Sequence, residues 1–135
     1  MKLDLHFVEV YPHPIDRVWA AVSKKEGLAV WLMENDFEPQ VGHRFKFWNE
    51  PHRPEWRGSI QCEVLAIEPR SRIVWSWRHS DDDFPSQVEI KLMAVEGGTR
   101  LTLHHTGESS PEFNRGYASG WPRKFGVLRE QLAAA

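Results

Sequence analysis

The sequence is poor in cysteine, in clusters of basic residues and in long apolar runs. Its single cysteine, Cys62, excludes an internal disulfide and any zinc site built from cysteine pairs. Lys and Arg number 17 against 19 Asp and Glu, with no basic stripe of the kind that nucleic-acid binding requires. Residues 1–7 alternate polar and apolar types, unlike a signal peptide or a membrane span. We therefore expect a cytoplasmic protein with no nucleic-acid partner and no membrane insertion.

The length of 135 residues indicates one domain over residues 1–135. A domain of this size buries roughly two-thirds of the surface that its unfolded chain exposes, so its stability requires neither a metal nor a disulfide. Seven tryptophans and seven phenylalanines are many for so short a chain. Large rings fill cores, and they also line pockets.

The N-terminal segment predicts one strand followed by two short helices. Between residues 2 and 11 the apolar residues change parity after Phe7, which predicts a strand with a bulge there. Apolar residues at helical spacing predict a helix over 15–22. Ser23 and Glu26 have the spacing of a capping box, so the second helix is predicted to begin at Ser23.

Five segments in the middle of the chain alternate apolar and polar residues, as strands of a sheet with one apolar face do. They are the segments 44–47, 56–64, 72–78, 88–92 and 100–105. Short turn-forming stretches connect them, as in successive hairpins. The five segments therefore predict an antiparallel meander.

The C-terminal segment returns to helical spacing and predicts a long helix. Its apolar stripe consists of Trp121, Phe125, Leu128 and Leu132. Ser119 is a candidate N-cap that would place Pro122 in the first turn, where a missing N–H is tolerated. Phe113 and Tyr117 allow the alternative that the helix extends backward past a kink.

The order of these elements predicts an α+β fold. A sheet with one apolar face has to cover that face, and the C-terminal helix is the one element long enough to do so. We expect a curved six-stranded antiparallel sheet wrapped round that helix, with two short helices after the first strand and a wedge between sheet and helix. The predicted ligand-binding residues of the wedge are Trp31, Phe45, Phe47, Trp75, Trp77, His105, Trp121 and Phe125. These side chains either enclose an apolar or aromatic ligand or fill the wedge completely.

Five blocks of sequence, in order, resemble a known family. They are YPHPIDRVW at 11–19, PQVGHRF at 39–45, EVLAIEPRSRIVWSW at 63–77, GGTRLTL at 97–103 and GWP at 120–122. The pattern resembles the heat-shock-protein ATPase activator homologue family, within the START-like, birch-pollen-allergen-like superfamily, also called SRPBCC. That resemblance implies the helix-grip fold. It implies no single function, because the superfamily includes lipid carriers, hormone receptors and polyketide cyclases.

The seven histidines do not have the spacing of a metal site. The chain lacks an H-E-x-x-H motif, and the adjacent His104 and His105 point to opposite faces of a strand. His105 falls on the same strand face as the apolar residues before it, so its side chain is expected in the interior. There it is either a buried imidazole hydrogen-bonded to its surroundings or an acid-base group in the pocket. Glu63 and Glu108 are its candidate carboxylate partners. His105 is thus the candidate catalytic residue, and we expect no metal and no cofactor.

Three functions are compatible with these patterns. The first is a binding or carrier module for a small apolar or aromatic ligand, and the second is an enzyme of the cyclase or hydrolase kind that uses His105. The third, implied by the resemblance, is a cochaperone that stimulates a heat-shock ATPase. In that resemblance the stimulating proteins carry an additional docking domain, for which 135 residues leave no space. We rank the binding module first, and exposed edge strands are compatible with a monomer or a homodimer.

Overall fold

The computed structural model of the protein describes residues 1–48, 58–82 and 84–134. The elements are β1 (Lys2–Tyr11), α1 (Ile15–Ser23), α2 (Lys25–Trp31), β2 (Glu34–Asn35), β3 (Arg44–Trp48), β4 (Ile60–Glu68), β5 (Arg72–His79), β6 (Ser86–Val95), β7 (Gly98–Glu108) and α3 (Pro111–Ala134). Residues 56 and 57 of the strand predicted over 56–64 lie outside the described residues. Within the described ranges, no helix is both long and apolar enough to cross a bilayer.

The strands form one antiparallel sheet in the order β1-β7-β6-β5-β4-β3-β2, and α3 packs on its apolar face. This is the predicted helix-grip architecture with seven strands, so the predicted number of six is wrong. The additional strand is β2, whose two residues are too few to produce a periodic pattern. Tertiary hydrogen bonds hold it in place, because the buried Asn35 amide donates to the carbonyl oxygens of Lys25 at 3.2 Å and Met33 at 3.0 Å.

The register of the sheet aligns side chains in rows beneath α3. In one row Leu5 is paired with His105, His105 with Val88, Val88 with Trp75, and Trp75 with Val64. The last four of these residues are completely buried. The stripe that α3 places over the sheet is the predicted one, formed by Trp121, Phe125, Leu128 and Leu132. The apolar face of the strands and the apolar stripe of α3, each predicted from the spacing of residues, therefore pack together in a single core.

The first strand is regular where a bulge was predicted. β1 and β7 pair without a register shift over the whole length of β1, so the bulge near Phe7 is wrong. Val8 and Val10 lie on the outer face of the sheet and are half exposed. A register shift occurs instead in β4, between Val64 and Ala66. The change of apolar parity in β1 therefore reflects exposed valines and not a change of face.

The predicted capping box between the two short helices is also wrong. Ser23 is the last residue of α1, and its hydroxyl donates to the Trp19 carbonyl at 2.6 Å. Lys24 separates the helices in an extended conformation, and α2 begins at Lys25 without a side-chain cap. Ser23 therefore bonds backward within its own helix, in the i to i−4 pattern that serine hydroxyls form with helix carbonyls.

The helix α3 begins earlier than Ser119, so Ser119 as its N-cap is wrong and the extension back through Phe113 is confirmed. The backbone N–H of Phe113 donates to the Ser110 hydroxyl at 3.3 Å. Pro111 follows as the first helical residue, where proline is favoured. Pro122 lies inside the helix. A serine cap followed by proline is the local signal that marks this helix start.

Candidate functional site

A cavity of about 250 Å³ lies between α3, the end of α2 and the adjacent ends of β4 and β5. Its apolar and aromatic wall consists of Leu32, Met33, Ile60, Trp77, Phe113, Tyr117 and Trp121. The remaining lining residues are Gly58, His79, Gly116, Gly120, Arg123 and Lys124. A concave site with mostly apolar walls and a few polar groups has the usual composition of a small-molecule pocket.

The structure places two of the predicted ligand-binding residues, Trp77 and Trp121, on the cavity wall. The other six, Trp31, Phe45, Phe47, Trp75, His105 and Phe125, are buried in the core away from the cavity lining. The rings of Phe45 and Phe47 lie 6.2 and 6.0 Å from that of Trp75, and Trp31 stacks on Phe125 at 6.5 Å. The wedge is therefore filled with rings over much of its length and open at one end.

His105 lies behind the wall formed by Trp77 and Trp121, and both of its ring nitrogens are hydrogen-bonded. The Trp121 indole N–H donates to Nδ1 at 3.1 Å. The Ser86 hydroxyl donates its proton to the Trp77 carbonyl at 2.8 Å, which leaves its oxygen to accept from Nε2 of His105 at 2.9 Å. This chain of hydrogen bonds specifies the neutral imidazole with its proton on Nε2.

The electrostatic surroundings of His105 agree with that protonation state. Burial lowers the pKa of His105 to about 3, because a cation in this position would lose its hydration. Neither candidate carboxylate partner reaches the ring: Glu63 pairs with Arg44 at 3.5 Å, and Glu108 pairs with the N-terminal amine at 3.5 Å. At neutral pH the imidazole therefore orients the Trp121 ring that lines the cavity.

Two glycines leave the surface of α3 bare where it borders the cavity. Apart from the adjacent backbone of α3 itself, a Cβ atom added at Gly116 would meet no described atom within 4 Å, and one added at Gly120 would meet the Arg123 guanidinium at 3.9 Å. Glycine inside a helix costs about 1 kcal/mol relative to alanine. No close contact of the helix requires glycine at these two positions, and what lies beside them is open space.

The indole N–H of Trp77 is a buried donor without a hydrogen-bond acceptor in good geometry. It lies close enough to the Tyr117 hydroxyl to influence that group, although the two do not form a well-aligned hydrogen bond. Burial raises the pKa of Tyr117 to about 12, and the Trp77 N–H opposes this increase. An unsatisfied buried donor costs about 1–3 kcal/mol.

His79 closes the cavity beside the start of α3. Its ring packs against Phe113 with centroids 4.3 Å apart, and its Nδ1 atom accepts the backbone N–H of Asp81 at 3.0 Å. Burial lowers the pKa of His79, while the charges of Asp81 and Asp82 act to raise it. Among the described residues no group of three or more His, Cys, Asp or Glu side chains could hold a metal ion.

Sequence reasoning missed most of the cavity wall, which comes from the first half of α3 and from the residues after α2. The signal that was available is the recurrence of Phe113, Tyr117 and Trp121 at every fourth position, with Gly116 and Gly120 between them. This pattern indicates a helix face on which aromatic side chains lie beside glycines that have no side chain. It becomes informative once the helix is known to begin at Pro111.

Comparisons with known proteins bear on the fold and the family. A family model described as Activator of Hsp90 ATPase homolog 1-like protein matches residues 12–133. Protein MLL2253 from Mesorhizobium loti is 31% identical, with a TM-score of 0.84 over 97% of this chain and 96% of that chain. Protein BH1534 from Bacillus halodurans is 28% identical, with a TM-score of 0.76 over 96% of each chain. CalU16 from Micromonospora echinospora shares the fold at 22% identity, with a TM-score of 0.77 over 96% of this chain and 75% of that chain. No curated protein matches the chain.

Proposed function

Since the chain belongs to the family described as Activator of Hsp90 ATPase homolog 1-like protein, we propose that it is a small-molecule binding or carrier protein built on the START-like helix-grip fold. The ligand is a small apolar or aromatic molecule that occupies the cavity beside α3. The observation that carries the proposal is the bare surface that Gly116 and Gly120 give to α3 at the cavity. The family and its structural neighbours support a ligand-binding role in general.

The size and shape of the cavity favour a flat ligand of one or two fused rings. Its volume of about 250 Å³ is slightly below the range of roughly 300 Å³ upward that drug-sized ligands occupy. The rings of Trp77 and Tyr117 stand at 89° with centroids 5.9 Å apart, and those of Trp77 and Trp121 at 51° and 5.4 Å. A flat aromatic molecule can stack on one such ring while it meets the edge of another.

The energetics of the empty site also favour occupancy. Two glycines inside a helix cost about 2 kcal/mol together relative to alanine. Both glycines line the cavity. A ligand that binds the native state stabilises it by mass action and offsets these costs. A cavity that served packing alone would gain stability from larger residues at the two glycines.

The alternative functions have less support. An acid-base role for His105 would require a ring nitrogen that faces the cavity, whereas both nitrogens are engaged with Trp121 and Ser86. The cochaperone alternative stays a prediction, and co-precipitation with a heat-shock ATPase at physiological salt would test it.

The substitution Gly120→Leu tests the proposal. The added side chain enters open space beside the cavity, so it should abolish binding of a naphthalene probe such as 2-naphthylmethanol, measured by isothermal titration calorimetry. The same variant should be at least as stable as the wild type in urea unfolding, because leucine favours the helix by about 1 kcal/mol relative to glycine. Loss of binding together with unchanged or higher stability distinguishes an occupied cavity from a misfolded protein.

Gly126→Leu is the matched control. Gly126 lies on the same helix, an added Cβ there meets no described atom within 4 Å, and the residue is not part of the cavity wall. This variant should keep the wild-type affinity. Equal binding by the wild type and Gly120→Leu, or no saturable binding of any naphthalene probe by the wild type, would refute the proposed function.

A further inference from the structure

The charged side chains on the cavity wall are all of one sign. Arg123 and Lys124 line the cavity, and none of the lining residues within the described ranges is Asp or Glu. The chain as a whole carries a net charge of -2, so the charge at the cavity is opposite in sign to the net charge of the protein. A cleft lined by one sign of charge attracts ligands of the opposite sign.

These two basic groups have no acidic partner in the part of the chain that the structure describes, in contrast to Arg129 and Arg72. Arg129, on the same helix, pairs with Glu9 at 3.1 Å. Arg72 pairs with Glu89 at 2.6 Å. Burial lowers the pKa of Lys124, and the charge of Arg123 lowers it further. An anion placed between the two cations would relieve their mutual repulsion.

The geometry holds both cations at the same opening as the aromatic wall. The Lys124 ammonium donates to the Leu32 carbonyl at 2.8 Å, which fixes its position and leaves two further N–H donors. The Arg123 guanidinium lies 3.9 Å from the position that a Cβ atom at Gly120 would take. It therefore lies against the bare part of α3 that borders the cavity.

We infer that the ligand of this cavity is a small aromatic carboxylate, whose ring packs against the wall that Trp77 and Trp121 form and whose carboxylate binds Arg123 and Lys124. The inference rests on the proposed function and adds the charge of the ligand to it. An arginine fork and an ammonium group together offer several charge-assisted hydrogen bonds to the two carboxylate oxygens. The apolar rings alone would accept a neutral molecule of the same shape equally well.

Two probes of matched shape test the inference by isothermal titration calorimetry. The anion 2-naphthoate should bind the wild type about tenfold more tightly than neutral 2-naphthylmethanol, as expected for one or two hydrogen bonds to charged groups. The preference should shrink as NaCl is added, because these side chains are partly exposed. The cation 2-naphthylmethylamine should bind more weakly than either.

Variants of the basic residues assign the preference to this site. Arg123→Gln and Lys124→Gln should each reduce the affinity for 2-naphthoate several-fold more than the affinity for 2-naphthylmethanol. Arg115→Gln is the control, because Arg115 is an exposed residue of the same helix outside the cavity lining. It should keep the full preference for the anion.

The outcomes separate the inference from the proposed function. If 2-naphthylmethanol binds, Gly120→Leu blocks it and 2-naphthoate binds no more tightly, the inference is overturned and the binding function stands. If the preference for the anion survives in both glutamine variants, the assignment to Arg123 and Lys124 is overturned. If neither probe binds the wild type, both the inference and the proposed function fail.

Discussion

Replacing His105 with glutamine should remove much of the acid sensitivity of this fold above about pH 5. The pKa of His105 is about 3 in the native state, against an ordinary value of 6.5 in the unfolded chain. Between these two values the unfolded chain binds a proton that the native protein does not. The free energy of unfolding therefore falls as the pH falls through this window, and the contribution of the neutral imidazole is fully present above about pH 6.5.

The magnitude follows from the linkage relation. One pKa unit corresponds to about 1.4 kcal/mol, so lowering the pH from about 7.5 to about 5 crosses roughly 1.5 units and costs about 2 kcal/mol through His105 alone. Glutamine can accept from the Trp121 indole N–H and donate to Ser86 without titrating. His105→Gln should therefore lose about 2 kcal/mol less than the wild type over this pH interval, whatever its absolute stability.

Urea unfolding at the two pH values measures the difference. His104→Gln is the control, because His104 lies next to His105 in β7 but on the outer face, with a partly exposed side chain. The difference between the two variants isolates the part of the pH dependence that belongs to the buried imidazole. The same pH dependence in the wild type and in His105→Gln would show that the native imidazole accepts a proton, and it would refute the chain of hydrogen bonds through Trp121 and Ser86.

Two further predictions concern the core. Gly27→Ala should destabilise the protein by more than about 2 kcal/mol, because its Cβ would lie 2.8 Å from the backbone of Ala20 and Ala21. Gly126→Ala, which has open space, should stabilise it by about 1 kcal/mol; thermal unfolding that shifts in the same direction for both would contradict the packing of α2 on α1. Cys62 is buried, and burial raises the pKa of its thiol. It should react with a thiol reagent at the rate of unfolding, and labelling at the rate of a free thiol would show that β4 is open.

The order and type of the elements could be predicted from the sequence because each is encoded by neighbouring residues. Side chains alternate in a strand and recur after three or four residues in a helix, so the parity of Phe45 and Phe47 and the stripe from Trp121 to Leu132 identify their buried faces. Errors arose where tertiary contacts replace periodicity. The two-residue strand β2 is held by hydrogen bonds of the Asn35 side chain, which no periodic pattern shows. Val8 is an apolar residue on the exposed face of β1, and this produced the change of parity that predicted a bulge.

The site was predicted less well, because its walls come from parts of the chain that are distant in sequence. The sequence indicated a wedge rich in rings and included Trp77 and Trp121, but the open end of that wedge depends on where α3 begins and on what lies opposite Gly116 and Gly120. The two glycines appear in the sequence only as poor helix formers. They become part of a cavity because the folded chain puts nothing beside them.

The sequence by itself determined which faces are apolar, since that property belongs to the spacing of residues along one element. Tertiary structure alone decided the protonation of His105 and the sign of charge at the cavity. Both depend on distances between residues from different elements, such as Trp121 with His105 and Lys124 with Leu32. Electrostatic energies and hydrogen bonds act over a few ångströms of space, and the spacing of residues along the chain does not specify which distant groups come that close.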